Sequence, residues 1–245
     1  MTSQVKIIIN RGSGKDDNAD ERKSELEKLF AEHNLKAEIS IADGGEQLIK
    51  FAKEAAQSDA EIVVAGGGDG TISAVASEIY KTDKLLGVLP FGTLNHFSKD
   101  LNIPPELADA VRIIAEKNSK KVDVGEINGT IFINNSSIGL YPQIVKDRED
   151  QQESLGRGKW SAAFWAGLKI LRRHPFLSVK LKSEDGEKTI KTPFVFVGNG
   201  AYEMDFFNIG KREEIADGKL SIYFLHKSGR KGLFFLILRT VFGRL

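Results

Sequence analysis

The sequence predicts an α/β fold: a parallel-sheet domain over residues 1–120, then a strand-rich, β-sandwich-like α+β domain over residues 121–245. Three observations predict it. Short apolar runs alternate with amphipathic helical patterns up to about residue 118, the rhythm of parallel strands joined by helical crossovers. Three of those runs stop abruptly at loops: Asn10 to Gly14, Gly66 to Thr71 and Pro90 to Asn95. From Lys121 the rhythm changes to short strands punctuated by turn signals such as Asn128-Gly129.

Taken in order, Val5 to Ile9 reads as a strand, followed by the loop NRGSG and a helix with Leu26, Leu29 and Phe30 on its buried side. Lys36 to Ile41 is a second strand. Gly44-Gly45 then turns into a helix carrying Leu48, Ile49, Ala52 and Ala55. Ile62 to Ala65 is a short buried strand that ends in Gly66-Gly67-Gly68. Ile72, Val75, Ala76 and Ile79 follow at once with helical spacing. Leu85 to Leu89 is the next strand, and Leu107, Ala110, Val111 and Ile114 mark a helix after Pro104-Pro105. The boundary falls in residues 118 to 122. Beyond it, Val122 to Ile127, Ile131 to Asn135, Phe176 to Lys182, Thr189 to Thr192, Phe194 to Val197 and Leu220 to Leu225 read as strands. Trp160, Phe164, Leu168 and Leu171 lie on one helical face that Pro175 ends.

Strand, glycine loop, helix is the layout of a phosphate site. Glycines let backbone N–H groups approach an anion, and a helix start adds donors and the positive end of a dipole. A turn rich in Gly and Asp is also what a plain capped helix looks like. Asp69 tips the reading, because a carboxylate beside a triphosphate is repelled unless a divalent cation lies between them. In a parallel sheet the three loops share the carboxyl edge, where ligands gather.

Composition narrows the classes. A formal net charge of +1 argues against a dedicated nucleic-acid binder. The absence of cysteine excludes disulfides, thiolate metal sites and cysteine catalysis, and suits a reducing compartment. The N-terminus turns polar too soon for a signal peptide, and no apolar run reaches the roughly 18 residues of a membrane span. A cytoplasmic protein is expected. Two blocks, from Ser154 to Ser183 and after Asp217, carry lysines and arginines without a single acid. They read either as solvated faces or as a surface for an anionic partner or membrane.

VAGGGDGTISAVAS together with GVLPFGTLNHFSKDLNIP resembles the diacylglycerol kinase catalytic family, which includes bacterial soluble lipid kinases and the sphingosine and ceramide kinases. NRGSG is similar to that family's Asn-Pro-x-Ser-Gly loop, with Arg11 in place of proline. The stretches DVGEINGTIFINNSSIGLYP, VFVGNGAYEM and ADGKLSIYF resemble its second, β-rich domain. GGDGT alone is shared with NAD kinases; the PFGTLN loop some twenty residues later is the specific mark.

The resemblance implies an ATP-dependent lipid kinase that moves the γ-phosphoryl of Mg-ATP to the hydroxyl of a diacylglycerol-like lipid. Gly67, Gly68, Asp69, Gly70 and Thr71 would wrap the nucleotide phosphates, with Asp69 acting on Mg²⁺. Thr93 and Asn95 would face the nucleotide or the acceptor hydroxyl, and Asn10 and Ser13 would form the other rim. No Walker-type lysine lies in the glycine loop, so metal and backbone dipoles must meet the phosphoryl charge. Leu94 and His96 depart from the family's small and acidic residues there; His96 reads as a helix-start residue or a substrate-side contact.

By the same resemblance, Asp217 would hold a structural Mg²⁺ through its carboxylate, with Glu214 and Lys219 giving carbonyls; a plain loop is the alternative. The family's general base, a glutamate in an Asp-Gly-Glu motif further on, has no counterpart, since nothing acidic follows Asp217. Glu184-Asp185-Gly186-Glu187 reads as a hairpin turn instead. The second domain is therefore expected to be incomplete at its C-terminus, and this 245-residue form weak or inactive in turnover. Gly232 to Leu245 reads as a core helix or as an interfacial helix on anionic lipid. The expected partners are the lipid substrate and a membrane surface approached peripherally, at its inner face, with no nucleic acid; oligomeric state is open. The rival readings are an NAD-kinase-like phosphotransferase and a non-catalytic nucleotide- or lipid-binding remnant.

Overall fold

The computed structural model describes residues 5–13, 19–139, 177–184, 186–205, 208–212 and 214–224. The helical face of Trp160 to Leu171, Gly14 of the first loop and the segment from Gly232 to Leu245 lie outside them.

Four parallel strands form the first sheet: β1 (Val5–Asn10), β2 (Ala37–Ala42), β3 (Ile62–Gly67) and β4 (Leu85–Pro90), in the order β2-β1-β3-β4. Side chains alternate across a strand, so each strand feeds two cores. Ile8, Val63, Ala65 and Val88 face α2 (Gly45–Gln57) and α3 (Asp69–Ile79), meeting Leu48, Ala52, Ile72 and Val75. Val5, Ile7, Ile9, Ile62, Val64 and Leu89 face α1 (Ala19–Glu32) and α5 (Leu107–Ala115), meeting Leu26, Phe30, Val111 and Ile114. With both faces covered, β3 is buried along its whole length, which is why it reads as an unbroken apolar run.

The strand order places the site. After β1 the chain goes to β2 on one side; β3 then returns to the other side of β1. The carboxyl ends of β1 and β3 therefore flank the topological switch point, where the loops leave in opposite directions and open a crevice. The loop after β4 leads into a short helix, α4 (His96–Asp100).

The Asn128-Gly129 hairpin forms as expected, between β5 (Gly125–Ile127) and β6 (Thr130–Phe132). Both turn residues have positive φ, 51° and 82°, which suits a two-residue hairpin turn. β8 (Leu177–Ser183) and β9 (Gly186–Thr192) pair antiparallel across the turn read at Glu184 to Glu187. β10 (Phe194–Asn199) lies between β7 (Asn135–Gly139) and β13 (Leu220–Phe224). One further hairpin, β11 (Tyr202–Asp205) with β12 (Asn208–Arg212), is not foreseen from the sequence.

Contacts divide the chain into two compact units. One comprises residues 1–134 and 199–220, the other residues 135–198 and 221–245. This differs from a linear cut at residue 120, because 121–134 and 199–220 keep company with the parallel sheet. Within that first unit the Asn199 amide donates to the carbonyls of Asp123 and Ile133, and the Asp123 N–H donates to the Ile215 carbonyl.

Candidate nucleotide site at the carboxyl edge of the sheet

The three loops are locked together by close backbone approaches and a few side-chain bonds. Asn10, last in β1, donates from its amide to the Thr71 hydroxyl at 3.2 Å, bridging the switch point. Its own oxygen accepts the Gly12 N–H at 3.3 Å, shaping the NRGSG turn. Ser13 is buried, and its carbonyl accepts from Arg22, whose guanidinium also lies over the Phe91 ring. Arg11 points the other way, to Asp43 and Asp20; the hydrogen bond to Asp43 chiefly raises the guanidinium above its ordinary range.

The glycines divide by what surrounds them. A Cβ on Gly67 would lie 2.4 Å from the Thr71 hydroxyl. One on Gly92 would lie 2.4 Å from the Gly68 Cα, so the second and third loops touch backbone to backbone. At Gly70 the same construction meets nothing within 4 Å, and at Gly12 only the Asn10 oxygen at 3.8 Å. The inner glycines permit contact between loops, whereas Gly70 and Gly12 border open space.

α3 starts inside this cradle. The Ile72 N–H donates to the Gly68 carbonyl, the first bond of the helix. The N–H groups of Asp69, Gly70 and Thr71 precede it and have no carbonyl within the helix to bond. Those donors and the helix dipole favour an anion there.

Asp69 is the expected metal–nucleotide ligand, and its carboxylate already carries a structural duty. Oδ2 accepts the His96 N–H at 3.1 Å; Oδ1 accepts the Phe97 N–H and the Asn134 amide, both at 3.0 Å. It thus caps α4, a helix that its own N-cap Asn95 does not cap. A carboxylate has about four lone-pair directions, so Oδ1 is filled and Oδ2 keeps one. Asp69 fits a cation through that one direction, directly or through a water.

Asn95 sits in the left-handed region, φ 49°, and spends both amide hydrogens on the carbonyls of Pro90 and Gly92 at 3.0 and 2.7 Å. It shapes its loop; its buried Oδ1 has no partner among the described residues. Thr93 and Leu94 are exposed on that loop, and His96 is exposed at the start of α4.

Around Asp217 the oxygen-only donors expected for Mg²⁺ are near one another in the chain, but they are engaged. Asp217 Oδ1 accepts the Lys219 N–H at 3.2 Å, and the Lys219 carbonyl accepts the Gly200 N–H at 2.9 Å. The Glu214 carbonyl crowds Gly200, 2.5 Å from where a Cβ would stand. Asp123, which the sequence reading did not single out, accepts the Gly218 N–H and pins the loop. The Lys219 ammonium also lies 3.9 Å from Asp217 Oδ2, so a hard cation suits the oxygen-only donor set only where it displaces that ammonium.

The sequence profile of the diacylglycerol kinase catalytic domain matches residues 4–127, half of the chain. The chain belongs to that family. This diacylglycerol kinase family member is 30% identical over 197 residues to a probable lipid kinase YegS-like from Chromohalobacter salexigens, covering 78% of this chain and 62% of the relative. It is 32% identical over 160 residues to a diacylglycerol kinase of Staphylococcus aureus strain MRSA252, covering 63% and 50%. The family member thus spans between half and two thirds of the length of these curated relatives. The crystal structure of a putative diacylglycerol kinase from Bacillus anthracis shares its fold, with a TM-score of 0.69 at 24% identity over 98% of this chain and 80% of that one. Among the described residues, no helix is long and apolar enough to cross a membrane.

Side chains contributed from outside the loops escaped the sequence reading. Asn134 is one, and Arg212, which holds it, is another. Asn134 left a weak signal, a polar residue ending the apolar run Ile131-Phe132-Ile133; Arg212 left none in its mixed-charge stretch.

Proposed function

We propose that this chain is an ATP-dependent lipid kinase, with a diacylglycerol-like lipid as acceptor. The observation that carries the reading is the cradle itself. Three loops meet at the switch point of a parallel sheet, their inner glycines in contact and Gly70 open at the start of α3. In this reading the N–H groups of Asp69, Gly70 and Thr71 bind the phosphates of ATP, and Asn10 and Thr71 hold the rim. Asp69 Oδ2 would hold Mg²⁺, and the Asp217 loop a second, structural Mg²⁺. When bound, Mg²⁺ supplies positive charge against the transferred phosphoryl group. The lipid acceptor is supported by the names of the relatives, and a peripheral station at the membrane by the basic blocks of the sequence; a cytoplasmic location belongs to the same proposal.

The test is transfer of label from γ-labelled ATP. Vesicles containing diacylglycerol, sphingosine or ceramide would be offered beside NAD, to this chain and to a form lengthened at its C-terminus to the span of its relatives. Label on lipid supports the proposal. Label on NAD alone would replace it with the NAD-kinase-like reading, and ATP binding without transfer by either form would leave a binding protein.

Paired glycine variants separate folding from binding. Gly92→Ala forces its Cβ against the Gly68 backbone, so stability should fall by about 1–3 kcal/mol, as for other overpacked sites. Gly70→Ala meets no neighbour and lies in the first turn of a helix. It should keep or gain up to about 1 kcal/mol of stability, yet weaken ATP binding, since the added methyl borders the proposed phosphate space. Thermal denaturation and ATP titration of both variants check this; unweakened ATP binding by Gly70→Ala would count against the cradle.

A further inference from the structure

The two ends of α4 are gripped by a single polar cluster, partly buried around Asp69 and Asn134 and fully buried at Arg212. At its start, the N–H groups of His96 and Phe97 donate to the Asp69 carboxylate. At its end, Asp100 accepts from Arg212 Nε at 2.7 Å, with the arginine side chain wholly buried and the aspartate nearly so. Asn134 joins the ends. Its amide nitrogen donates to Asp69 Oδ1, and its oxygen accepts from Arg212 Nη2, both at 3.0 Å. The amide cannot turn over: a guanidinium only donates and a carboxylate here only accepts, so each end has one chemically allowed partner.

Arg212 is itself fixed. Nη1 donates to the carbonyls of Ile133 and Asn199 at 2.8 and 3.0 Å, and the guanidinium lies 5.5 Å from the centre of the Tyr202 ring. The Tyr202 hydroxyl donates in turn to the Asn134 carbonyl at 2.8 Å. The planar fork is spread over four acceptors, a task an ammonium cannot copy.

We infer that Asn134 and Arg212 are positioning residues for the nucleotide site, holding the Asp69 carboxylate in fixed register with the loop that leads into α4; the inference rests on the proposed binding of Mg-ATP at the glycine loops. Neither residue touches the open space beside Gly70. They act through Asp69, whose single remaining lone-pair direction depends on where Asn134 and the two N–H groups hold it. A buried ion pair adds little net stability over apolar side chains of similar size. What the cluster supplies is geometry, and the geometry is that of the carboxylate proposed to meet the cation.

The discriminating measurement is the ratio of ATP affinities with Mg²⁺ and with EDTA, by calorimetric titration at a temperature where circular dichroism shows each protein folded. Asn134→Ala and Arg212→Lys should each reduce that ratio about tenfold, the scale of one lost hydrogen bond to a charged group. Lys84→Met is the control: it removes an ammonium that holds the Ser58 and Ala60 carbonyls ahead of β3, so it should lower the melting temperature and leave the ratio alone. Should Arg212→Lys not fold, Asn134→Ala decides. An unchanged ratio in folded variants overturns the inference and leaves the nucleotide reading standing. Absence of ATP binding by the unaltered chain overturns the nucleotide reading, and the inference with it.

Discussion

Asp69→Ala should lose both stability and Mg²⁺-dependent ATP binding. Three donors converge on the carboxylate. The His96 N–H is exposed and will be rehydrated; the Phe97 N–H and the Asn134 amide are partly buried and will not be fully so. Removing the shared charged acceptor should destabilise the protein by about 2–3 kcal/mol. In the same variant, Mg-ATP affinity should fall about tenfold or more, while ATP affinity in EDTA changes less. Thermal melts and titrations on one preparation separate the two duties. A variant that melts early but binds Mg-ATP normally would confine Asp69 to capping α4. One that melts normally would show that the cap is dispensable.

Arg212→Met should have the largest effect on stability of any single change considered. It strands the Asp100 carboxylate in a buried position and frees two main-chain carbonyls. Breaking a buried pair from one side costs about 3–5 kcal/mol. For a protein of this size that is a fall of roughly 10 °C in melting temperature. Changing Asp100→Leu as well should recover much of the loss, because the stranded charge is then gone. If Arg212→Met alone melts like the unaltered protein, the ion pair is not what holds residues 199–220 to the rest of the first unit.

Much of the fold was legible because it follows from periodicity. β3 and β4 are short apolar runs ended by Gly or Pro, and α2 and α5 carry wide apolar stripes, so burial alone fixes them. The Asn128-Gly129 hairpin was legible for another reason, since its turn needs two residues that tolerate positive φ. β11 and β12 were not, because YEMD and NIGKR have neither clean alternation nor a recognisable turn between them. At the site, the glycine loops announced themselves and their meeting followed from strand order. The duty of Asp69 as a cap for α4 did not, because its donors lie 27 and 28 residues away. Local sequence reports local backbone needs; it is silent about which distant donor completes a carboxylate's shell. Asn95 shows the converse. Its motif suggests ligand contact, yet its amide hydrogens are absorbed by two carbonyls of its own loop.

The partnership of Asp100 with Arg212 spans 112 residues. A ribosome delivers the acid long before the base. Until residue 212 emerges, the nascent first unit carries a carboxylate on α4 whose partner does not yet exist, and Asn134 can be anchored only at its Asp69 end. The parallel sheet can assemble early from its own crossovers, but the carboxyl edge cannot be finished at that stage. Such far-separated contacts are slow to close and leave unfinished surfaces exposed meanwhile. The order of synthesis therefore makes the carboxyl edge the last part of the first unit to mature, although its glycine loops are among the first residues made.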